Sequence, residues 1–124
     1  MTEQQMLELM ANFRRAYAKA DRDALLAVTS EDFTWHQHAG DAPHGKVLSG
    51  VDELLEEVAR RSDDWQDVRY ENLFERAAGT ELLVQTFTIS GVDRGTRFCA
   101  DAVDLYPVRN GRITRKDTYW KYQS

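Results

Sequence analysis

The chain has 124 residues, one domain's length, with 16 basic against 21 acidic side chains and a net charge of −5. No basic block stands out, which argues against a nucleic-acid partner or an anionic membrane surface. Nothing approaches the run of about 18 apolar residues that a membrane span needs, and Met1 to Arg14 carries acids and no apolar run, so a cytoplasmic location is expected. Cys99 is the only cysteine, which leaves no disulfide within the chain and makes a buried, inert thiol its default reading.

Seven Gly and two Pro are scattered without a linker or repeat, so one unit spanning residues 1–124 is expected. Thr2 and Gln5 form a capping-box pattern, and Met6, Leu9, Met10, Phe13 and Tyr17 follow at helical spacing. This predicts a long helix over about residues 3 to 19. Asp21 caps a second, shorter helix to Thr29, with Leu25, Leu26 and Val28 on its apolar side. From Phe33 to His38 the period becomes two, with Phe33, Trp35 and Gln37 on one face and Thr34, His36 and His38 on the other. Ala39 to Ser49 reads as a loop, and a third helix follows through Val51, Leu54, Leu55 and Val58. Four alternating runs then occupy about 66–77, 81–90, 96–108 and 112–122, separated by glycine-containing turns. Helices segregated from a later strand meander indicate an α+β fold, with a strongly curved antiparallel sheet wrapped over the long helix.

That order combines with Ser30-Glu31-Asp32-Phe33, the Gly-Val-Asp-Glu-Leu-Leu opening of the third helix, and Asp104-Leu105-Tyr106-Pro107-Val108-Arg109-Asn110-Gly111-Arg112-Ile113. Together they resemble the nuclear transport factor 2-like superfamily and, more narrowly, its SnoaL-like branch. The resemblance implies a cystatin-like cone with an apolar pocket at its open end and a homodimer through the convex face of the sheet. It does not choose a reaction, because the superfamily includes isomerases, hydrolases, dehydratases, cyclases and non-catalytic association domains. Ketosteroid isomerases of this fold place a tyrosine where Phe13 stands and a base where Gln37 stands, and only their oxyanion acid is matched, by Asp104. Epoxide hydrolases bracket an arginine with two aspartates, and the spacing of Arg97, Asp101, Asp104 and Asp117 departs from that pattern. Scytalone dehydratase pairs histidines, as His36 and His38 do in residue type.

The last hairpin can be phased. A three-residue turn at Arg109-Asn110-Gly111 sets Asp104 opposite Lys116, Ala102 opposite Thr118 and Ala100 opposite Trp120, so these small and polar residues face the concave side. A two-residue Asn-Gly turn would instead bring Asp104 opposite Asp117 and turn Asp117 and Tyr119 inward. The first phasing is favoured because the two alanines leave room for a ligand. Gln85 and Phe87, with Leu83 and Ile89, continue the wall on the neighbouring strand.

Within an apolar cavity, an Asp104–Lys116 pair is a proton-exchanging device; at the rim it is a salt bridge worth at most about 1 kcal/mol. His36 and His38 are natural general acids or bases, or else outward-facing strand histidines with Phe33 and Trp35 inside. With His44 they form a weak zinc pattern without a supporting carboxylate or thiolate, and no metal is expected. Tyr17, Trp35 and Trp120 either line the pocket or fill the core. The acidic third helix, with Arg60 and Arg61 at its end, reads as a solvated face.

The expected function is a cofactor-free lyase, isomerase or hydratase acting on an apolar, aromatic small molecule. In it His36 or His38 abstracts a proton, Asp104 and Lys116 handle the oxyanion, and Tyr17, Trp35, Gln85, Phe87, Thr118 and Trp120 hold the substrate. No phosphate loop or nucleotide fingerprint is present, so no cofactor is expected. The alternatives are a ligand-binding or association module and an epoxide-hydrolase-like enzyme.

Overall fold

The computed structural model describes residues 1–123. Helix α1 (Glu3–Lys19) starts at the expected capping box, in which the Thr2 hydroxyl accepts from the Gln5 amide while Gln5 Oε1 accepts from the Thr2 amide. It stops where Ala20 turns left-handed at φ 51°. Asp21 accepts from the Ala24 amide and opens α2 (Arg22–Val28). Strand β1 (Thr29–His36) follows directly, then the short β2 (Val47–Ser49), and then α3 (Gly50–Asp64). Four long strands complete the chain: β3 (Trp65–Ala77), β4 (Leu82–Asp93), β5 (Thr96–Arg109) and β6 (Arg112–Tyr122).

These strands form one six-stranded sheet in the order β2-β1-β6-β5-β4-β3. The sheet is mixed rather than wholly antiparallel, because β1 lies parallel to β6, with Trp35 beside Lys116 and His36 beside Asp117. The intervening helices and hairpins form a crossover long enough to permit that parallel pairing. The segment read as a loop, Ala39 to Ser49, contains β2, which covers the edge of β1.

Met6, Met10, Phe13 and Ala16 on α1 pack with Leu25, Phe33, Trp35, Leu54, Leu83, Tyr106 and Ile113 in one core. A second cluster gathers Ile89, Ala100 and Ala102 with Trp65, Phe98 and Trp120 at the other end of the sheet. No helix among the described residues is long and apolar enough to cross a membrane.

The β5–β6 register follows the two-residue phasing at the turn and neither phasing beyond it. Asn110 and Gly111 both have positive φ, as in a two-residue type I′ turn, and Val108 pairs with Ile113. The register then slips between Leu105 and Val108, where three residues of β6 oppose two of β5. Beyond the bulge Asp104 pairs with Thr118, Ala102 with Trp120 and Ala100 with Tyr122. The slip restores the inward parity of Lys116, Thr118 and Trp120, so the favoured face is correct although its cross-strand pairs are displaced.

The turn before β2 depends on Gly45, at φ +75°, where an added Cβ would run into the Gln37 carbonyl. Replacing Gly45 by Ala is expected to cost about 1–3 kcal/mol of stability, read as a lowered midpoint in urea unfolding.

Candidate active site

The curved sheet and α1 and α3 enclose a cavity of about 920 Å³, lined by members of both core clusters. Small-molecule sites commonly span about 300–1,000 Å³. Its wall is largely aromatic: Phe13, Tyr17, Trp35, Trp65, Phe87, Tyr106 and Trp120 all contribute.

Into this wall β5 and β6 insert a buried ion pair. Asp104 is 1% exposed and Lys116 is 6% exposed. Lys116 Nζ donates to Asp104 Oδ2 at 2.8 Å and to the Tyr106 hydroxyl at 2.9 Å. Thr118 Oγ1 donates to Asp104 Oδ1 at 2.5 Å and accepts from Trp35 Nε1 at 3.0 Å. The Tyr106 hydroxyl lies 3.1 Å from Gln85 Oε1, and Gln85 Nε2 donates to Glu75 at 2.7 Å. Glu75 in turn receives Arg14 of α1. Burial pushes the Tyr106 hydroxyl well above its ordinary pKa, and the Asp104 charge adds to the effect, so it remains a proton donor near neutrality. The Lys116 ammonium also lies 4.9–5.3 Å from the ring centroids of Tyr17, Tyr106 and Trp35, whose faces favour a cation.

Every residue expected to hold substrate lines this cavity: Tyr17, Trp35, Gln85, Phe87, Thr118 and Trp120, together with the expected catalytic residues Asp104 and Lys116. The histidines do not. His36 lies beside Asp117 on the opposite face of β1, 5.6 Å from the His44 ring, and burial followed by Arg115 lowers its pKa. His38 does not share its face, because β1 ends at His36 and strict alternation stops there. Instead its ring stacks on Trp120 at 3.8 Å and 9°, and its Nε2 meets the Tyr122 hydroxyl at 3.1 Å. Among the described residues, no three His, Cys, Asp or Glu side chains gather as a metal site.

Among the cavity residues that the sequence did not reveal, three stand beside the ion pairs and the tryptophans. Tyr106 follows from the same parity as Asp104 and Val108. Arg61 continues the spacing of Leu54 and Val58 at i+4 and i+7, so its helical position carried the signal that its charge obscured. Its guanidinium carbon lies 4.5 Å from the Trp65 ring, 4.8 Å from Trp35 and 5.9 Å from Trp120. Trp65, the third, starts β3 directly after that helix. Glu57 anchors Arg61 through Nε at 2.8 Å while also receiving Arg60 on both oxygens. Burial alone would raise the Glu57 pKa, but these guanidiniums hold it at about 2.

The SnoaL-like domain model matches residues 10–116. The chain belongs to the SnoaL-like domain family. Its fold is similar to that of an NTF2-like protein from Burkholderia xenovorans LB400, at 24% identity over 98% of this chain and 92% of that one, with a TM-score of 0.82. A candidate polyketide cyclase from Xanthomonas campestris pv. campestris aligns over 96% of this chain and 92% of its own, at 20% identity and a TM-score of 0.73. A protein with a ketosteroid isomerase-like fold from Catenulispora acidiphila DSM 44928, solved with trimethylamine, covers 92% of this SnoaL-like chain and 85% of its own at 21% identity and a TM-score of 0.70. No curated protein matches the sequence.

Burial, and after it the Arg61 charge, lower the His38 pKa to about 4. The unfolded chain therefore takes up this proton near pH 6.5, before the folded one does, so the contribution of His38 to stability declines as pH falls from about 6.5 to 4. An NMR titration of the ring is expected to find a midpoint near 4 that rises in Arg61→Gln.

Proposed function

We propose that the protein is a cofactor-free lyase or isomerase that moves protons on an apolar, aromatic carbonyl compound held in the cone. The observation that carries this reading is the buried Lys116–Asp104–Tyr106 cluster in the wall of an aromatic-rich cavity. Lys116 donates to the substrate oxygen on which negative charge develops, and Asp104 takes the proton leaving the adjacent carbon. Return of that proton to the same or another carbon, or its delivery to a departing leaving group, regenerates the pair. Tyr106 and Thr118 position the two charges. This assignment moves the proton-transfer role from His36 and His38 to the ion pair, because neither imidazole lines the cavity.

A second reading, a non-catalytic binding module, draws on the saturation of Asp104, whose two oxygens already accept from Thr118 and Lys116. Exchange of the α-protons of 2-tetralone in D2O, followed by NMR, separates the two. The parent is expected to accelerate exchange, and Lys116→Met and Asp104→Asn to lose at least about a hundredfold of that rate. His36→Ala is expected to retain the parent rate. Binding of the ketone without accelerated exchange would favour the carrier and sink the enzyme.

We further propose a homodimer through the convex face. The reading is supported by the stripe that the register aligns across four strands, Phe74, Thr86, Val103 and Tyr119. Phe74 and Tyr119 at its ends are 52% and 54% exposed. Light scattering on the parent is expected to give twice the chain mass, and Val103→Arg to give a monomer.

A further inference from the structure

Besides Lys116 the cavity is lined by Arg14, which pairs with Glu75, by the exposed Lys19, and by Arg61, a largely buried cation whose surroundings differ from those of Lys116. Two of the Lys116 N–H groups are engaged by Asp104 and Tyr106. Arg61 commits only Nε to Glu57, and beyond the Tyr17 hydroxyl nothing polar among the described residues engages its two Nη groups. Its side chain is only 12% exposed, yet the residue lines the cavity. Trp35 and Trp65 lie within 5 Å of the guanidinium carbon, so indoles pack around the group while its outer N–H groups are left for the cavity. Glu57 does not neutralise this charge alone, since it divides its oxygens between Arg60 and Arg61.

A planar guanidinium held by rings, with hydrogen-bond donors left over and little water around it, is a preorganised receptor for a planar oxyanion. The same charge is felt at neighbouring groups: among them, it draws down the Tyr17 hydroxyl against the larger effect of burial, and it adds to the burial effect on His38. An apolar ligand seated between Phe87, Trp120 and Tyr17 would find Arg61 on the α3 side of the cavity and the Lys116 pair on the sheet wall. We propose that Arg61 is a specificity residue that selects an aromatic carboxylate, anchoring its carboxylate group while the ring packs against the tryptophans. The inference rests on the cavity being a small-molecule site and does not require the Lys116–Asp104 pair to be catalytic.

Calorimetric titration with 2-naphthoate and its uncharged analogue 2-naphthamide tests it. The parent is expected to bind naphthoate at least about tenfold more tightly than naphthamide. Arg61→Gln is expected to abolish that preference while leaving the affinity for naphthamide within about twofold, which also reports that the pocket is intact. Arg61→Lys is expected to recover part of the preference, because it restores the charge without the planar fork. The proposal is overturned if naphthoate fails to bind the parent, if the two probes bind equally, or if the preference survives Arg61→Gln and disappears in Lys116→Met. Neither probe reacts, so these outcomes are independent of the tetralone exchange that tests the acid–base reading.

Discussion

The Lys116–Asp104 ion pair is the constraint around which the cone is organised. Two charges withdrawn from water cost several kcal/mol each unless their remaining donors and acceptors are met, and removal of one partner from such a pair typically costs about 3–5 kcal/mol. The protein meets that requirement with Tyr106 and Thr118, and it holds Thr118 in turn with the Trp35 indole. The polar chain then continues through Gln85 and Glu75 to Arg14, linking β1, β3, β4, β5 and β6 with α1. A network satisfied from end to end is what allows polar side chains to occupy an apolar wall.

The bulge in β6 is what makes this arrangement possible. Ile113 and Lys116 both point inward although they are three residues apart, which strict alternation forbids. One extra residue between them lets the start of β6 close the type I′ turn and fill the lower core with Ile113. The rest of the strand then presents Lys116, Thr118 and Trp120 to the cavity. Without the slip, Asp117 and Tyr119 would face inward and the carboxylate of Asp104 would meet another acid.

A similar solution appears on the helical side. Arg61 and Glu57 bury a second ion pair, again with aromatic rings around the cation and again with more than one donor on the carboxylate. Indoles and phenols accept a cation on their faces without supplying a competing charge. The cavity therefore keeps an aromatic-rich wall while retaining Lys116 and Arg61 as largely buried cations. His38 lies outside the cavity lining, stacked on the Trp120 indole.

Element order, the capping box at Thr2, the stripe of α1 and the inward parity of Asp104, Thr118 and Trp120 were legible in the sequence because each depends on residues close together in the chain. The period of a helix or strand and the chemistry of a cap are local properties. The parallel contact of β1 with β6, the register of β5 and β6 and the direction of the histidines were not legible. They depend on which strand edge lies free after the hairpins close and on where a bulge relieves the turn, both settled only when distant segments meet. The same distinction applies to charge. A sequence excess of five acids argued against polyanionic partners, but it did not show that Arg61, at the end of an acidic helix, turns inward among three tryptophans. That position is decided by the packing of α3 against the sheet, where the aliphatic stem and flat face of an arginine bury more favourably than its charge alone suggests.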